Sequence, residues 1–191
     1  MDEIPTRVLV GYATAGGSTR EVAERVAHVL GEAGLDVDVR QAGTDVDPEG
    51  YAAAVVGSAV HSMRWLPGAL DLLHRLSDPN TRRPVWCFSV AGIAPRGRVT
   101  RWLARQERAR VEQGFPAGAA LRGHRLFAGV VRIDGVPLWG RAFYRVVGQH
   151  PGDHRDWAAI DRWSRQVATD VLGRATVAAA DGSAPPAGDR R

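Results

Sequence analysis

Apolar runs alternate along the chain with stretches in which apolar residues recur every three or four positions. Continuous apolar runs are typical of strands buried on both faces, whereas the longer spacing is typical of amphipathic helices. Residues 36–40 alternate Val with charged residues, which predicts an edge or half-buried strand. The pattern predicts strands over residues 7–12, 36–40, 52–58, 84–90 and 125–133, and helices over residues 22–30, 66–76, 100–112, 138–147 and 157–172.

This order of elements predicts an α/β fold with a doubly wound, parallel, five-stranded sheet and helices on both faces. The length of 191 residues suits one domain with a full-sized hydrophobic core. We expect that domain to cover residues 1–172, and the Ala-, Gly- and Pro-rich residues 173–191 to form a disordered tail. Ligands of such sheets bind beyond the carboxyl ends of the strands, which places functional residues in the loops after Tyr12, Gly57 and Ser89.

The loop between the first strand and the first helix has two interpretations. Ser18 and Glu21 fit a capping box, in which both side chains accept backbone N–H groups at the start of the helix. That motif leaves Thr14, Thr19 and the paired glycines unexplained. A turn of small residues at the positive end of a helix also offers several N–H groups to a phosphate. We therefore expect residues 14–19 to bind an anion.

The composition excludes several classes of protein. All 25 residues counted as Lys or Arg are Arg, so a Walker-type phosphate loop, a pyridoxal enzyme with a Schiff-base Lys and a phospho-acceptor receiver domain are excluded. The dinucleotide fingerprint G-x-G-x-x-G is absent. The single Cys excludes an internal disulfide framework and a Cys-rich metal site, and its place in a predicted strand indicates an inert core residue, Cys87.

Charge is distributed unevenly between the two parts of the chain. Residues 1–80 carry 6 Arg and 12 acidic residues, a net charge of −6, whereas residues 81–191 carry 19 Arg and 9 acidic residues, a net charge of +10. The basic part indicates either anionic partners or a solvated Arg-rich surface. We expect a cytoplasmic protein, because no signal peptide and no apolar run of membrane-spanning length is present, and we expect no nucleic-acid partner.

The motif Thr14-x-x-Gly17-x-Thr19, directly after the first strand, resembles the phosphate-binding loop of the flavodoxin superfamily. The segments "VVGSAVHSMRWLPGALDLL", "PVWCFSVAG" and "VVRIDGVPLWGRAFYRVVGQHPGDHRDWAAIDRW" are similar to the menaquinone-dependent protoporphyrinogen dehydrogenase group of flavodoxin-like proteins. The resemblance implies a flavodoxin-like fold and non-covalently bound FMN. It also implies protoporphyrinogen as electron donor and menaquinone as acceptor.

The resemblance implies three groups of FMN-binding residues. The phosphate would be held by Thr14, Ala15, Gly16, Gly17, Ser18 and Thr19. The ring and ribityl chain would lie along Ser58, Ala59, Val60 and His61 and along Ser89, Val90, Ala91 and Gly92. Trp65 is the nearest aromatic residue that could stack on the flavin, although it is offset from the usual position. His61 could donate to the flavin or to a substrate, or it could be a loop His without a function.

Two further segments have both a functional and a structural interpretation. Spacings of three and four would place Arg98, Arg101, Arg105 and Arg108 in one stripe of a helix. The stripe could bind the carboxylates of an anionic substrate or acidic lipid headgroups, or it could be a solvated face. Residues 138–147 form a broad apolar face beside two Arg, which predicts a core helix or a helix in peripheral contact with a membrane.

We expect the first of the following three functions, and the other two are its alternatives. The first is an FMN-dependent oxidoreductase that dehydrogenates a small organic substrate and passes electrons to a quinone. The second is a flavodoxin-type electron carrier, and the third is a flavin-free binding module with the same fold. Pro151 and Gly152 between His150 and His154 argue against a metal site, and no Ser–His–acid set can be singled out because G-x-S-x-G is absent.

Overall fold

Strands and helices alternate through the computed structural model, which describes residues 6–43, 47–77, 83–92, 97–117, 119–131 and 151–180. The strands are β1 (Arg7–Ala13), β2 (Asp36–Gln41), β3 (Ala53–His61), β4 (Arg64–Trp65), β5 (Val85–Ala91), β6 (Leu121–Ala128), β7 (Val130–Val131) and β8 (Gly152–Asp153). The helices are α1 (Ser18–Glu32), α2 (Pro67–Leu76), α3 (Arg98–Glu112) and α4 (Trp157–Ala180).

The main sheet has the strand order β2-β1-β3-β5-β6, and all four of these pairings are parallel. The chain moves from β1 outward to β2 and then returns to the other side of β1 to form β3. The order therefore reverses between β1 and β3, where doubly wound sheets bind their ligands. Strand β4 pairs antiparallel with β3, and β7 pairs antiparallel with β8. The predicted doubly wound, parallel, five-stranded sheet is confirmed.

Both faces of the sheet are covered, because alternate residues of each central strand enter different apolar clusters. In β1, Val8 and Val10 pack against α1 and α4, whereas Leu9 packs against α2 on the other face. Full burial of each such side chain stabilises the fold by roughly 1.5–3 kcal/mol. On the α1 side, the Arg25 guanidinium binds both carboxylate oxygens of Asp161 at 2.7 Å, which joins α1 to α4.

Three boundaries differ from the predictions. Strand β3 continues to His61, because a hairpin with β4 extends it. The predicted strand over residues 125–133 is wrong at both ends, since β6 begins at Leu121 and its pairing with β5 stops at Ala128. Helix α4 continues to Ala180, so the predicted disordered tail is wrong for residues 173–180. One Gly costs a helix only about 1 kcal/mol relative to Ala, and the next Pro comes at residue 185.

The remaining predicted elements agree with the structure or lie outside the described residues. Helix α1 ends as predicted, with Gly34 in the left-handed conformation at φ 91°. Pro67 occupies the first turn of α2, where its missing N–H leaves no helical hydrogen bond unmade. The predicted helix over residues 138–147 lies outside the described residues. None of the helices in the described ranges is long and apolar enough to cross a membrane.

Close packing between β3 and β5 predicts the effect of adding one methyl group. A Cβ at Gly57 would overlap the ring of Phe88, which is fully buried and cannot move aside without disturbing the core. We expect Gly57→Ala to lower the free energy of unfolding by about 1–3 kcal/mol, as overpacked cores do. Urea unfolding followed by circular dichroism measures this change.

Gly31→Ala is the matched control, because a Cβ there would meet nothing within 4 Å. Gly31 lies inside α1, so the same substitution should raise the free energy of unfolding by about 0.5–1 kcal/mol. Opposite signs in the two variants are the expected result. Equal losses of stability would contradict the packing described for Gly57.

Candidate functional site

A tight turn joins the carboxyl end of β1 to α1 at the point where the strand order reverses. The N–H of Gly17 donates to Oγ1 of Thr14 at 2.9 Å, which closes the turn. Gly17 has φ 91°, a left-handed conformation that residues with a Cβ rarely adopt. The pairing of Thr14 with Gly17 thus explains two of the residues that the sequence motif singled out.

The predicted capping box at the start of α1 is wrong. Gly17, rather than Ser18, occupies the N-cap position, and it has no side chain with which to cap the helix. The Glu21 carboxylate binds Arg155 at 2.8 Å instead of returning to the backbone. The N–H groups in the first turn of α1 therefore receive no side-chain cap from the N-cap residue, and the positive end of the helix can interact with an anion.

Thr19 supplies a polar atom to the same turn of the helix. The residue is fully buried, and its Oγ1 has no hydrogen-bond partner within the described ranges. Leaving a buried hydroxyl without a partner costs about 1–3 kcal/mol. Such a group in the first turn of α1 indicates a ligand that accepts its hydrogen bond.

The ends of β5 and β6 approach this turn closely at Gly129. The N–H of Gly129 donates to the Ala91 carbonyl at 2.8 Å. A Cβ at Gly129 would lie 2.7 Å from Cγ1 of Val90 and 3.7 Å from Oγ of Ser18. Only a residue without a side chain lets the end of β6 come this near to β5, whereas the distance to α1 is an ordinary van der Waals contact. Gly129 has no predicted role in the sequence, because this approach depends on strands that are distant along the chain.

Arg155 fixes the segment before α4 against the first turn of α1. Its guanidinium binds the Asp153 carboxylate at 2.6 Å and Glu21 at 2.8 Å, and it lies 4.5 Å from the ring centroid of Trp157. The hydrogen bond from Arg155 holds the pKa of Asp153 below its usual range. No local pattern predicts the pair of Arg155 with Glu21, because the two residues are 134 positions apart.

The second predicted group of binding residues lies at the end of β3 and leads into its hairpin with β4. Ser58 is fully buried; its hydroxyl donates to the Ala59 carbonyl at 2.9 Å and accepts the N–H of Leu66 at 3.0 Å. Ala59 and Val60 are half-buried, and His61 is exposed. Ser58 thus holds the hairpin in place, while His61 extends the strand to the surface.

The third predicted group lies at the end of β5. Ser89 and Val90 are buried in the core, Ala91 is 2% exposed, and Gly92 is half-buried. Ala91 and Gly92 therefore reach the carboxyl edge of the sheet, and Ser89 lies one layer below it. The neighbouring residues 93–96 lie outside the described ranges.

Trp65 does not occupy the surface position that stacking on a ligand requires. Its side chain is 4% exposed, and its ring packs edge-on against Phe115 at a centroid distance of 4.6 Å. Its Nε1–H donates to Oγ of Ser89 at 2.7 Å. The expectation that Trp65 stacks on a flavin is therefore corrected, because core packing covers the ring and a buried hydrogen bond fixes its edge.

Ser89 continues into a buried polar chain that the sequence analysis missed. Oγ of Ser89 lies 2.8 Å from Nε2 of His124, and Nδ1 of His124 lies 2.9 Å from a carboxylate oxygen of Glu112. Because Trp65 donates to Ser89, the Ser89 hydroxyl can donate to Nε2, which places the ring proton of His124 on Nδ1, facing Glu112. Arg108 donates to the same oxygen of Glu112 at 2.7 Å.

These atoms have the connectivity of a Ser–His–Glu catalytic triad, but their burial gives them a structural role. Ser89 lies inside β5 between two paired strands, β3 and β6, and its hydroxyl is already hydrogen-bonded to Trp65 on one side and to His124 on the other. A nucleophile must reach its substrate, which this hydroxyl cannot do. The chain instead joins β4, β5, β6 and α3 through groups that are 12 to 35 residues apart in the sequence.

The described ranges contain no group of three His, Cys, Asp or Glu residues that could hold a metal ion. Cys87 is fully buried in β5, and this burial raises the pKa of its thiol. A thiol that stays protonated and inaccessible is unreactive, as the sequence indicated. The sequence argued against a metal site at His150 and His154, and His150 lies outside the described residues.

Comparisons with known proteins identify the domain. Residues 9–157 match the model of the flavodoxin domain family. No curated protein matches the chain significantly by sequence.

Solved structures share the fold. A flavodoxin from the domain Archaea matches 87% of this chain and 99% of its own, with a TM-score of 0.51 and 16% identity. A Streptococcus pneumoniae TIGR4 flavodoxin matches 86% of this chain and 99% of its own, with the same score and identity. A flavodiiron protein from Thermotoga maritima has a TM-score of 0.56 and 16% identity, over 89% of this chain and 37% of its own.

The buried chain predicts a pH dependence of stability. Burial lowers the pKa of His124, although the hydrogen bond to Glu112 opposes the shift. Below the pKa of about 6.5 that an unfolded His has, the unfolded protein binds the extra proton first. We therefore expect stability to fall as the pH decreases from about 6.5 towards the folded pKa of His124, by at most about 1.4 kcal/mol per pH unit.

Urea unfolding between pH 5 and 7.5 measures this pH dependence of stability. The variant His124→Gln should lack the part of it that comes from protonation of His124. His28→Gln is the matched control, because the side chain of His28 is 58% exposed on α1. The control should keep the pH dependence of the wild type. If His124→Gln also keeps it, the titration belongs to another group.

Proposed function

Since the chain belongs to the flavodoxin domain family, we propose that it is an electron-transfer protein that holds FMN at the carboxyl edge of its sheet. The observation that carries the proposal is the buried Thr19 hydroxyl, which lacks a partner in the described ranges and lies in the first turn of an uncapped helix. The family match and the flavodoxin structures indicate the same cofactor.

Residues 14–19 fit the phosphate of FMN. A phosphate needs several donors, and this turn supplies the N–H groups at the positive end of α1 together with three hydroxyls, from Thr14, Ser18 and Thr19. The Thr14 hydroxyl accepts from Gly17 and so keeps its own proton to donate. No Lys is required, which agrees with a chain whose basic residues are all Arg.

The ends of β3 and β5 would hold the flavin ring. We assign the contacts to Ala59, Val60, His61, Ala91 and Gly92, with Ser58, Ser89 and Val90 supporting them from the core. When bound, FMN supplies reversible electron transfer, while the protein determines its binding, orientation and electrostatic environment. Exposed His61 can donate a hydrogen bond to the ring or to a substrate.

Met63 offers apolar surface on the same hairpin in place of buried Trp65. Ser62 and Met63 form its two-residue turn, with φ values of 50° and 59°, and Met63 is 47% exposed. A polarisable thioether is well suited to contact with an aromatic ring. We assign Met63 to the apolar contact of the flavin that the sequence analysis gave to Trp65.

A dehydrogenase is the second candidate function. It rests on the similarity of three sequence segments to protoporphyrinogen dehydrogenases, and on the Arg residues of α3, which could bind propionates. Known flavodoxin and flavodiiron structures support electron transfer without supporting that substrate or a quinone acceptor. Anaerobic reduction of the bound flavin by a porphyrinogen, followed by reoxidation with a menaquinone analogue, would favour the dehydrogenase, whereas peripheral contact with a membrane would need binding to lipid vesicles.

Thr19→Val tests the proposed phosphate site. The substitution keeps the shape of the side chain and removes a buried hydroxyl that has no partner in the described ranges. We expect FMN affinity to fall roughly 10- to 100-fold, because a hydrogen bond to a charged group contributes about 1.5–3 kcal/mol. Titration of the apo-protein with FMN, followed by quenching of flavin fluorescence, measures the affinity.

Apo-protein stability separates binding from folding in this test. Because the variant removes an unmade hydrogen bond, its free energy of unfolding without FMN should be unchanged or higher. Thr169→Val is the control, since Thr169 is exposed on α4 and its hydroxyl donates to the Arg165 carbonyl. Unchanged FMN affinity in Thr19→Val would remove the phosphate from this turn.

A further inference from the structure

We infer that the outward face of α3 is a docking surface for an acidic redox protein, an inference that rests on the proposed electron-transfer function. The α3 docking face is formed by Arg98, Val99, Arg101, Trp102 and Arg105. Three observations support this inference. The face has exposed apolar side chains, it has Arg residues without carboxylate partners in the described ranges, and only a short segment of chain separates it from the end of β5.

Large apolar side chains on the α3 docking face are open to solvent. Val99 is 63% exposed and Trp102 is 56% exposed. The residues that α3 buries, Thr100, Ala104 and Val111, lie on its other side. Trp102 is thus presented outward from the fold, where it gains nothing from the core. Exposed Trp among Arg is the composition of the residues that contribute most to protein–protein binding.

The charges of α3 also lack compensation on its outer side. The helix contains five Arg and only two Glu. Glu112 binds Arg108 and His124, while Oε2 of Glu107 is buried and burial raises the pKa of that carboxyl. Arg98, Arg101 and Arg105 form no ion pair with any residue of the described ranges, so an acidic surface would complement them.

A protein surface fits this face better than a lipid surface does. A helix that lies in a membrane interface presents a broad apolar stripe to the acyl chains, with its cations on the opposite side. On α3, two apolar side chains lie between Arg residues, and the small buried stripe faces the core. The observations therefore favour an acidic protein.

The position of α3 suits electron transfer. Residues 93–97 alone separate Gly92, at the proposed flavin site, from Arg98 at the start of the docking face. A chain of this length spans at most about 20 Å even when fully extended. A partner seated on α3 would lie next to the edge of the sheet where FMN is proposed to bind.

The test measures association of the FMN-free protein with an acidic [2Fe–2S] ferredoxin as the probe. We expect Arg101→Glu with Arg105→Glu to lower the association rate constant at least about tenfold at 20 mM salt, and the wild-type rate to fall steeply towards 200 mM salt. Trp102→Ala should mainly increase the dissociation rate constant and leave the salt dependence in place. Biolayer interferometry gives both constants.

Arg162→Glu with Arg174→Glu is the matched control, because it changes the net charge equally at exposed positions of α4. Helix α4 packs on the opposite face of the sheet from α2 and α3, so this control should bind the ferredoxin almost as fast as the wild type. Equal effects of the two charge reversals would show that net charge alone governs association, and would overturn the docking face.

Two further outcomes would also overturn it. One is no binding of the wild type to the ferredoxin at 20 mM salt. The other is sedimentation with phosphatidylglycerol vesicles that the α3 variant loses, which would assign the surface to a membrane. FMN titration of the same variants keeps the two proposals apart: charge reversal on α3 should leave FMN affinity unchanged, whereas failure of FMN binding in the wild type would reject the proposed function itself.

Discussion

Burial of both faces of the central strand β1 is the constraint on which the rest of the structure depends. Val8 and Val10 require a cover on one side of the sheet and Leu9 requires one on the other, so the chain must place helices on both faces. The connection from β1 to α1 then has to turn sharply at the carboxyl edge of the sheet. That turn, closed by Thr14 and Gly17, brings uncapped N–H groups and the Thr19 hydroxyl together. The candidate site is therefore a consequence of how the sheet is covered.

The fold could be predicted from the sequence because its main signals are local. A strand buried on both faces appears as a continuous apolar run, as in β1 and β5, and an amphipathic helix repeats its apolar residues within one or two turns. The ends of strands β3 and β6, in contrast, are determined by contacts between segments that are distant in the sequence. The hairpin with β4 extends β3 to His61, and the contact of Gly129 with the end of β5 ends β6 before the apolar run is finished.

The candidate site could be predicted only as far as its residues are neighbours in sequence. The turn over residues 14–19 was identified, but the role of Ser18 was not, because a Gly in the left-handed conformation and a remote Arg can replace a capping box. The sequence predicts that Trp65 can stack on a ligand, because no residue near it in the sequence indicates its hydrogen bond to Ser89. His124 and Glu112 join that chain only after β5 and β6 have paired in parallel.

The chain from Trp65 through Ser89 and His124 to Glu112 has a mechanical consequence. Glu112 and Arg108 belong to α3, whereas Ser89 belongs to β5, so α3 cannot slide along the sheet without separating buried polar partners. Each group left unpaired in that way would cost about 1–3 kcal/mol. Helix α3 is thereby held at a fixed position against β5 and β6. A protein that rests on it would meet the edge of the sheet at one reproducible distance, and the rate at which an electron crosses a gap depends on such a distance.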